Sequence, residues 1–158
     1  MAEIVFAIDP GTHESGWCLL DGSKVVESGV VENVELLHFM RLPPIHFRKA
    51  SLAIEMIASY GMPVGKEVFE TCVWIGRFIE AWGGKSHRVY RKEVKLFLCG
   101  TTKAKDANVR QALIDLFPPT GGGKTPQIGT KAAPGPLYGV TSHAWAALAV
   151  AVTFKAAA

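Results

Sequence analysis

Residues 4–20 read IVFAIDPGTHESGWCLL. Ile4, Val5, Phe6 and Ile8 are β-branched or aromatic, so this is a buried strand by composition. It ends on Asp9, then Pro10-Gly11-Thr12 turns the chain and a second apolar run begins. A carboxylate closing a buried strand costs several kcal/mol unless something pairs with it. Asp9 is therefore either a turn residue, since Asp before Pro-Gly starts turns, or a ligand awaiting a cation.

Working outward, residues 16–20 and 24–31 form two further strands joined by a turn at Asp21-Gly22-Ser23. Residues 33–42 carry helical periodicity after an Asn33 cap and are stopped by Pro43-Pro44. Residues 51–57, SLAIEMI, make a fourth strand, buried in pattern except for Glu55. A long helix over 64–82 ends at Gly83-Gly84. A short fifth strand, 87–90, leads into a helix over 91–98, and Asp106 caps another helix running to about 117. Residues 119–139 concentrate Gly and Pro and read as a long loop before a final helix over 142–155. Three antiparallel strands followed by strands alternating with helices predict an α/β fold, a mixed sheet covered by helices.

The totals set bounds. At 158 residues, with 49% hydrophobic and 20% charged, the whole chain 1–158 is expected to be one globular domain. A net charge of +3 permits a polyanionic partner without demanding one. Cys18, Cys72 and Cys99 are scattered and form no CxxC pair, which points to reduced thiols in a cytoplasm-like compartment. Met1-Ala2-Glu3 leads straight into a strand, so no signal peptide is expected, and the apolar C-terminal run is too short to span a bilayer.

Glu55 is the harder residue to dismiss. Glutamate is a poor strand former, yet Ile54 and Met56 flank it within an apolar run. If the first and fourth strands are neighbours, Asp9 and Glu55 meet at one edge of the sheet. Like charges that close repel unless a divalent cation lies between them, and Mg²⁺ prefers such hard oxygen ligands. His143, in the first turn of the last helix, is a further ligand candidate, with Asp106, Glu67 and Glu70 behind it. Asp106 is also explained as a helix cap, and Glu67 and Glu70 as a solvated helix face. Lys95 lies on the helix after the fifth strand, where a lysine either stabilises charge in phosphoryl transfer or is simply exposed.

Two motifs mislead. TGGGKT, residues 120–125, imitates a phosphate loop, but a Walker A motif needs glycine where this chain has Pro118. DPGTHESG imitates the phosphate turn of actin-like and sugar-kinase ATPases, which need two domains to clasp a nucleotide, so no nucleotide cofactor is expected.

Taken in order, AIDPGTHESGW, LAIEMI, EVKLFLCG with KAKDANVRQAL, and SHAWAALAVAVT resemble four segments of the ribonuclease H-like RuvC-type Holliday-junction resolvases, in particular a phage-encoded branch. The resemblance implies a ribonuclease H-like five-stranded sheet flanked by helices, three strands antiparallel and the rest added in parallel. It implies a magnesium-dependent endonuclease, with Mn²⁺ as a substitute, that makes paired cuts in four-way and other branched DNA. Asp9 and Glu55 would bridge two ions, His143 would ligate one or manage protons, and Lys95 would offset transition-state charge. Asp106 and Glu70 are the weaker candidates for completing the metal site. Paired cuts imply a homodimer in the cytoplasm, that of the host for a phage protein, with no membrane partner. The helix over 64–82, with Val68, Cys72, Ile75 and Ile79 on one stripe, is long enough to serve core and dimer contact together. Lys66, Arg77, Arg88, Arg91 and Lys92 are candidate phosphate contacts, and Met62 or Phe69 a candidate junction wedge.

One departure stands out. The family's last helix usually carries a second acid one turn after the first ligand, and here that position is Ala146. The site is then completed by another acid, or it is weakened, naturally or by engineering. The rival functions are a nuclease for RNA–DNA hybrids and a junction-binding protein that no longer cuts.

Overall fold

The computed structural model describes residues 3–158; Met1 and Ala2, and with them the start of the expected leaderless N-terminus, lie outside the described residues. Five strands join one sheet in the order β3-β2-β1-β4-β5. They are β1 (Ile4–Asp9), β2 (Glu14–Asp21), β3 (Lys24–Glu32), β4 (Ser51–Met56) and β5 (Ser86–Tyr90). The first three pair antiparallel through tight turns. β4 and β5 add in parallel, each reached through helical connections, as parallel neighbours require. The expected mixed α/β sheet is what the chain forms.

Among the described residues, six helices cover the two faces. On one lie α1 (Asn33–Arg41), the short α2 (Ile45–Arg48) and α3 (Lys66–Trp82). On the other lie α4 (Arg91–Cys99), α5 (Asp106–Leu116) and α6 (Ala144–Ala157). Alternation along β1 divides the core between them. Phe6 and Ile8 join the cluster under α1–α3 with Leu36, Met40, Phe47 and Phe78. Val5 and Ala7 join the cluster under α4–α6 with Val94, Leu113 and Leu148. Parity places Asp9 on the second face, below the start of α6.

Several sequence expectations shift. Asn33 is not a cap but the first residue of α1, preceded by Glu32 as N-cap. Its buried amide instead accepts from Ser15 Oγ (2.6 Å) and donates from Nδ2 to the Gly11 carbonyl (2.8 Å). That network ties down the turn after Asp9. Asp106 likewise is the first helical residue of α5 and not its cap, which is Lys105; the Lys105 amide donates to Asn108 Oδ1 at 3.0 Å. α6 begins at Ala144, so His143 is its N-cap and does not lie in its first turn. The short α2 escaped the periodicity because one helical turn has none to show.

The segment between α5 and α6 is an irregular, internally bonded loop anchored by buried Leu137 and Val140. In the phosphate-loop mimic, the Gly121 and Gly122 amides donate to the carbonyls of Pro126 and Ala133, both at 2.8 Å, and are thereby committed within the loop. No helix among the described residues is long and apolar enough to cross a membrane.

Candidate active site

β1 and β4 run parallel in the register Ile8↔Ile54, which sets Asp9 and Glu55 side by side at the next position. Both point to the α6 face, like Ala7 and Ala53 below them. Their side chains are only 14% and 15% exposed. Burial raises the Asp9 carboxyl above its ordinary value, against the lowering effects of a hydrogen bond with Glu55 and the Arg91 charge. Glu55 is pushed up to about 8, chiefly by burial and then by the Asp9 charge beside it. Two buried carboxyls this close disfavour simultaneous ionisation, and each raises the cost of charging the other.

His143 reaches the pair from the N-terminus of α6, with Nδ1 3.3 Å from Asp9 Oδ2. Its place depends on Gly16, the partner of Asp9 in the β1–β2 register. A Cβ on Gly16 would fall 2.2 Å from the His143 carbonyl oxygen, so only glycine lets the α6 backbone approach the sheet here. Ser142, just before it, has φ +49, and Tyr60, in the loop after Glu55, has φ +51. Among the described residues these are the non-glycine positions in the left-handed region.

The cation at the pair is Arg91. It starts α4 directly after β5, whose register Met56↔Tyr90 brings it alongside Glu55. Nη1 lies 3.5 Å from Glu55 Oε1, and Nη2 donates to Asp106 Oδ1. Although burial opposes its charge, the surrounding carboxylates, Glu55 foremost, raise the guanidinium's pKa above its ordinary value. A cleft of about 420 Å³ opens beside it, lined by Arg91, Asp106, Arg110, Ser142, His143 and Ala146 among others. Arg110 lies over the Trp145 ring at 4.6 Å, a pairing that sequence reasoning missed because it joins α5 to α6.

The sequence candidates thus separate. Asp9, Glu55 and His143 come together, and Asp106 reaches the group only through Arg91. Lys95 lies one helical turn beyond Arg91 in a second depression lined also by Tyr60, Lys92 and Thr102, without an ion pair to the acids. Lys92 lies 5.6 Å from the Tyr60 ring centroid. Glu67 and Glu70 are exposed on α3, which packs on the opposite face of the sheet, as does Arg77, stacked 4.3 Å over Trp74. Lys66 is exposed at the start of α3 and Arg88 on β5. Among the described residues no three or more His, Cys, Asp or Glu side chains converge closely enough to enclose a metal ion. Ala146 explains part of that shortfall, and the engagement of Asp106 with Arg91 explains more.

No protein-family model matches the chain, and no curated protein matches it. Solved structures do. The Thermus thermophilus RuvC structure aligns over 95% of this chain and 92% of its own, with TM-score 0.65 and 19% identity. The same organism's RuvC in complex with a Holliday junction substrate aligns over 96% of this chain and 92% of its own, with TM-score 0.67 and 21% identity. At that level of identity the likeness establishes the fold alone: this chain shares the fold of those two RuvC structures.

Proposed function

We propose that this chain is a divalent-metal-dependent endonuclease that resolves four-way and other branched DNA junctions by hydrolysing phosphodiesters. The observation that carries the proposal is the buried, adjacent carboxyl pair Asp9–Glu55, with His143 against Asp9, at the edge of a fold shared with a protein solved in complex with a junction substrate. Two adjacent, buried carboxylates that repel one another suit a small divalent cation such as Mg²⁺ or Mn²⁺, which prefers hard oxygen donors. Asp9 and Glu55 would hold it, with His143 beside them. What such an ion supplies is an acidified water and charge against the developing phosphorane.

The chain's own groups do the rest. In hydrolysis the water oxygen bonds to phosphorus and the P–O3′ bond breaks. The water proton leaves through His143, whose exposed ring can pass it to solvent, and the departing 3′-oxygen takes up another. Arg91 faces the reacting phosphate from the Glu55 side. Lys92 and Lys95 extend positive charge along α4, and Lys66 adds to it at the start of α3, so that these three hold flanking phosphates; Arg88, in register with Ile54, faces the α1–α3 side of the sheet. Exposed Tyr60, Met62 and Phe69 offer apolar surface to unpaired bases at the branch point. Paired cuts call for two sites, and α3 would supply a surface for a homodimer: Val68, Cys72 and Ile79 are only half-buried, while Val73 is exposed.

The test is a cleavage comparison of a synthetic four-way junction with an RNA–DNA hybrid and a linear duplex in Mg²⁺. Symmetric nicks confined to the junction are expected; preferred cutting of the hybrid would move the assignment to the ribonuclease alternative. The open ligand position at Ala146 favours a second reading, a junction-binding protein without cutting, and retained binding with no nicks would establish it.

A further inference from the structure

Two arginines line the cleft beside the acid pair, and they are held in different ways. Arg91 is ion-paired with Glu55 and Asp106. Arg110 makes no ion pair among the described residues. Asp106 stands one helical turn before it on α5, the spacing at which the two would pair, yet that carboxylate is engaged by Arg91. Arg110 is exposed, and its guanidinium lies 4.6 Å over the ring of Trp145, which is itself buried at 7% exposure. We infer that Arg110 is a positioning residue: it binds a backbone phosphate of the DNA strand that enters this cleft, one flanking the phosphate to be cut. The inference rests on the nuclease proposal above and adds to it the strand's course past the acids.

Stacking uses the face of a guanidinium and leaves its N–H donors, which lie in the plane, free for an anion. Trp145 belongs to the core under α6, so it gives Arg110 a rigid seat, and binding there orders little that is not already ordered. Covering an indole ring does not require a charge; holding a phosphate does, and the planar fork suits two of its oxygens. The cleft, about 420 Å³, is bordered by exposed Ser142, His143 and Arg110 and is large enough for a nucleotide unit. Arg91 lines this cleft and also the depression formed with Tyr60, Lys92 and Lys95. A strand held at Lys92 and Lys95 therefore passes Arg91 and reaches Arg110 over continuous positive charge. The contact makes and breaks no covalent bond.

The experiment measures binding of a synthetic four-way junction, in chelator and over a salt series, by wild type, Arg110→Gln and Arg110→Lys, with thermal melting of each protein alongside. Binding is then repeated on junctions carrying one neutral methylphosphonate linkage at successive positions around the branch point. Arg110→Gln is expected to bind about 10-fold more weakly, with the log–log salt slope reduced by about one, and to melt where wild type does. Arg110→Lys is expected to keep the slope. One methylphosphonate position should weaken wild type by a similar factor and leave Arg110→Gln indifferent, which identifies the phosphate contacted. Unchanged affinity and slope in Arg110→Gln, or equal sensitivity of both proteins to every methylphosphonate, would overturn the inference. So would a lowered melting temperature with equal binding loss in the Lys and Gln variants, which would make Arg110 only a packing partner of Trp145. Junction binding by wild type without cutting in Mg²⁺ would overturn the nuclease proposal and leave the phosphate contact standing. Absence of junction binding by wild type would overturn both.

Discussion

The two faces of β1 are built to different rules. Toward α1–α3 it presents Phe6, whose ring lies 5.2 Å from Phe47, 5.4 Å from Trp82 and 6.0 Å from Phe39. Toward α6 it presents Ala7, next to Ala53 and Cys18, and meets Ala144, Ala147, Leu148 and Ala151 of the helix, all fully buried. The aromatic face gains stability from bulk and edge-to-face ring contacts. The small-residue face gains proximity: it brings a helix close to the sheet and so delivers His143 to Asp9. One face sets how firmly the chain folds, the other where the chemistry sits.

That division makes its substitutions behave differently. The largest effect on function is expected from Asp9→Asn, which removes a ligand charge; junction cutting should fall by roughly 10³-fold or more while gel-shift binding persists. Next comes Gly16→Ala, a single methyl on the small-residue face. It must push the α6 start away from Asp9, and a shift of about 1 Å there should lower cutting about 10²-fold, measured per folded molecule. On the aromatic face Phe47→Ala should cost about 3–5 kcal/mol in denaturant unfolding, with cutting per folded molecule unchanged. Equal loss of activity from the Gly16 and Phe47 variants would break the comparison.

The acid pair also gives a pH signature. In the folded chain Glu55 is raised from an ordinary 4.5 to about 8, so between those values the folded state keeps a proton that the unfolded state has lost. Its contribution to stability is present in full below about 4.5 and is lost as pH rises through about 8. Metal-free protein should therefore melt at progressively lower temperature from about pH 5 to about pH 9, and Glu55→Gln should flatten the trend. The smallest expected effect is that of Lys95→Ala, which should leave the cutting rate nearly intact and reduce the salt slope of junction binding by about one phosphate contact.

How much of this is legible in the sequence follows from which contacts are local. Asp9 and Glu55 show themselves because each interrupts an apolar strand, and a charge in such a run is conspicuous whatever the fold. His143 shows itself by the small apolar helix that follows it. Arg91 is legible as a basic residue after a strand, but its partnership with Glu55 depends on β5 lying beside β4, a pairing between distant segments that no local pattern encodes. Attention goes to Lys95 instead, one turn along the same helix. The signal that would have found Arg91 is its position directly after the last residue of β5, at the same strand-end level as Glu55. Asn33 misleads for the opposite reason: its residue type suits a cap, and only the turn at Gly11 reveals the long-range partner. The Arg110–Trp145 stack joins two helices across a long loop and leaves no trace in spacing.

Whether the Asp9–Glu55 pair is a hydrolytic metal centre decides what this chain does. The most direct measurement is a Mg²⁺ titration of four-way junction cutting by wild type and Asp9→Asn, with cut positions mapped on both strands. Two symmetric nicks that appear with Mg²⁺, vanish in chelator and are absent from Asp9→Asn are the predicted result. Nicks of equal yield in chelator, or in the Asp9→Asn protein, would contradict it.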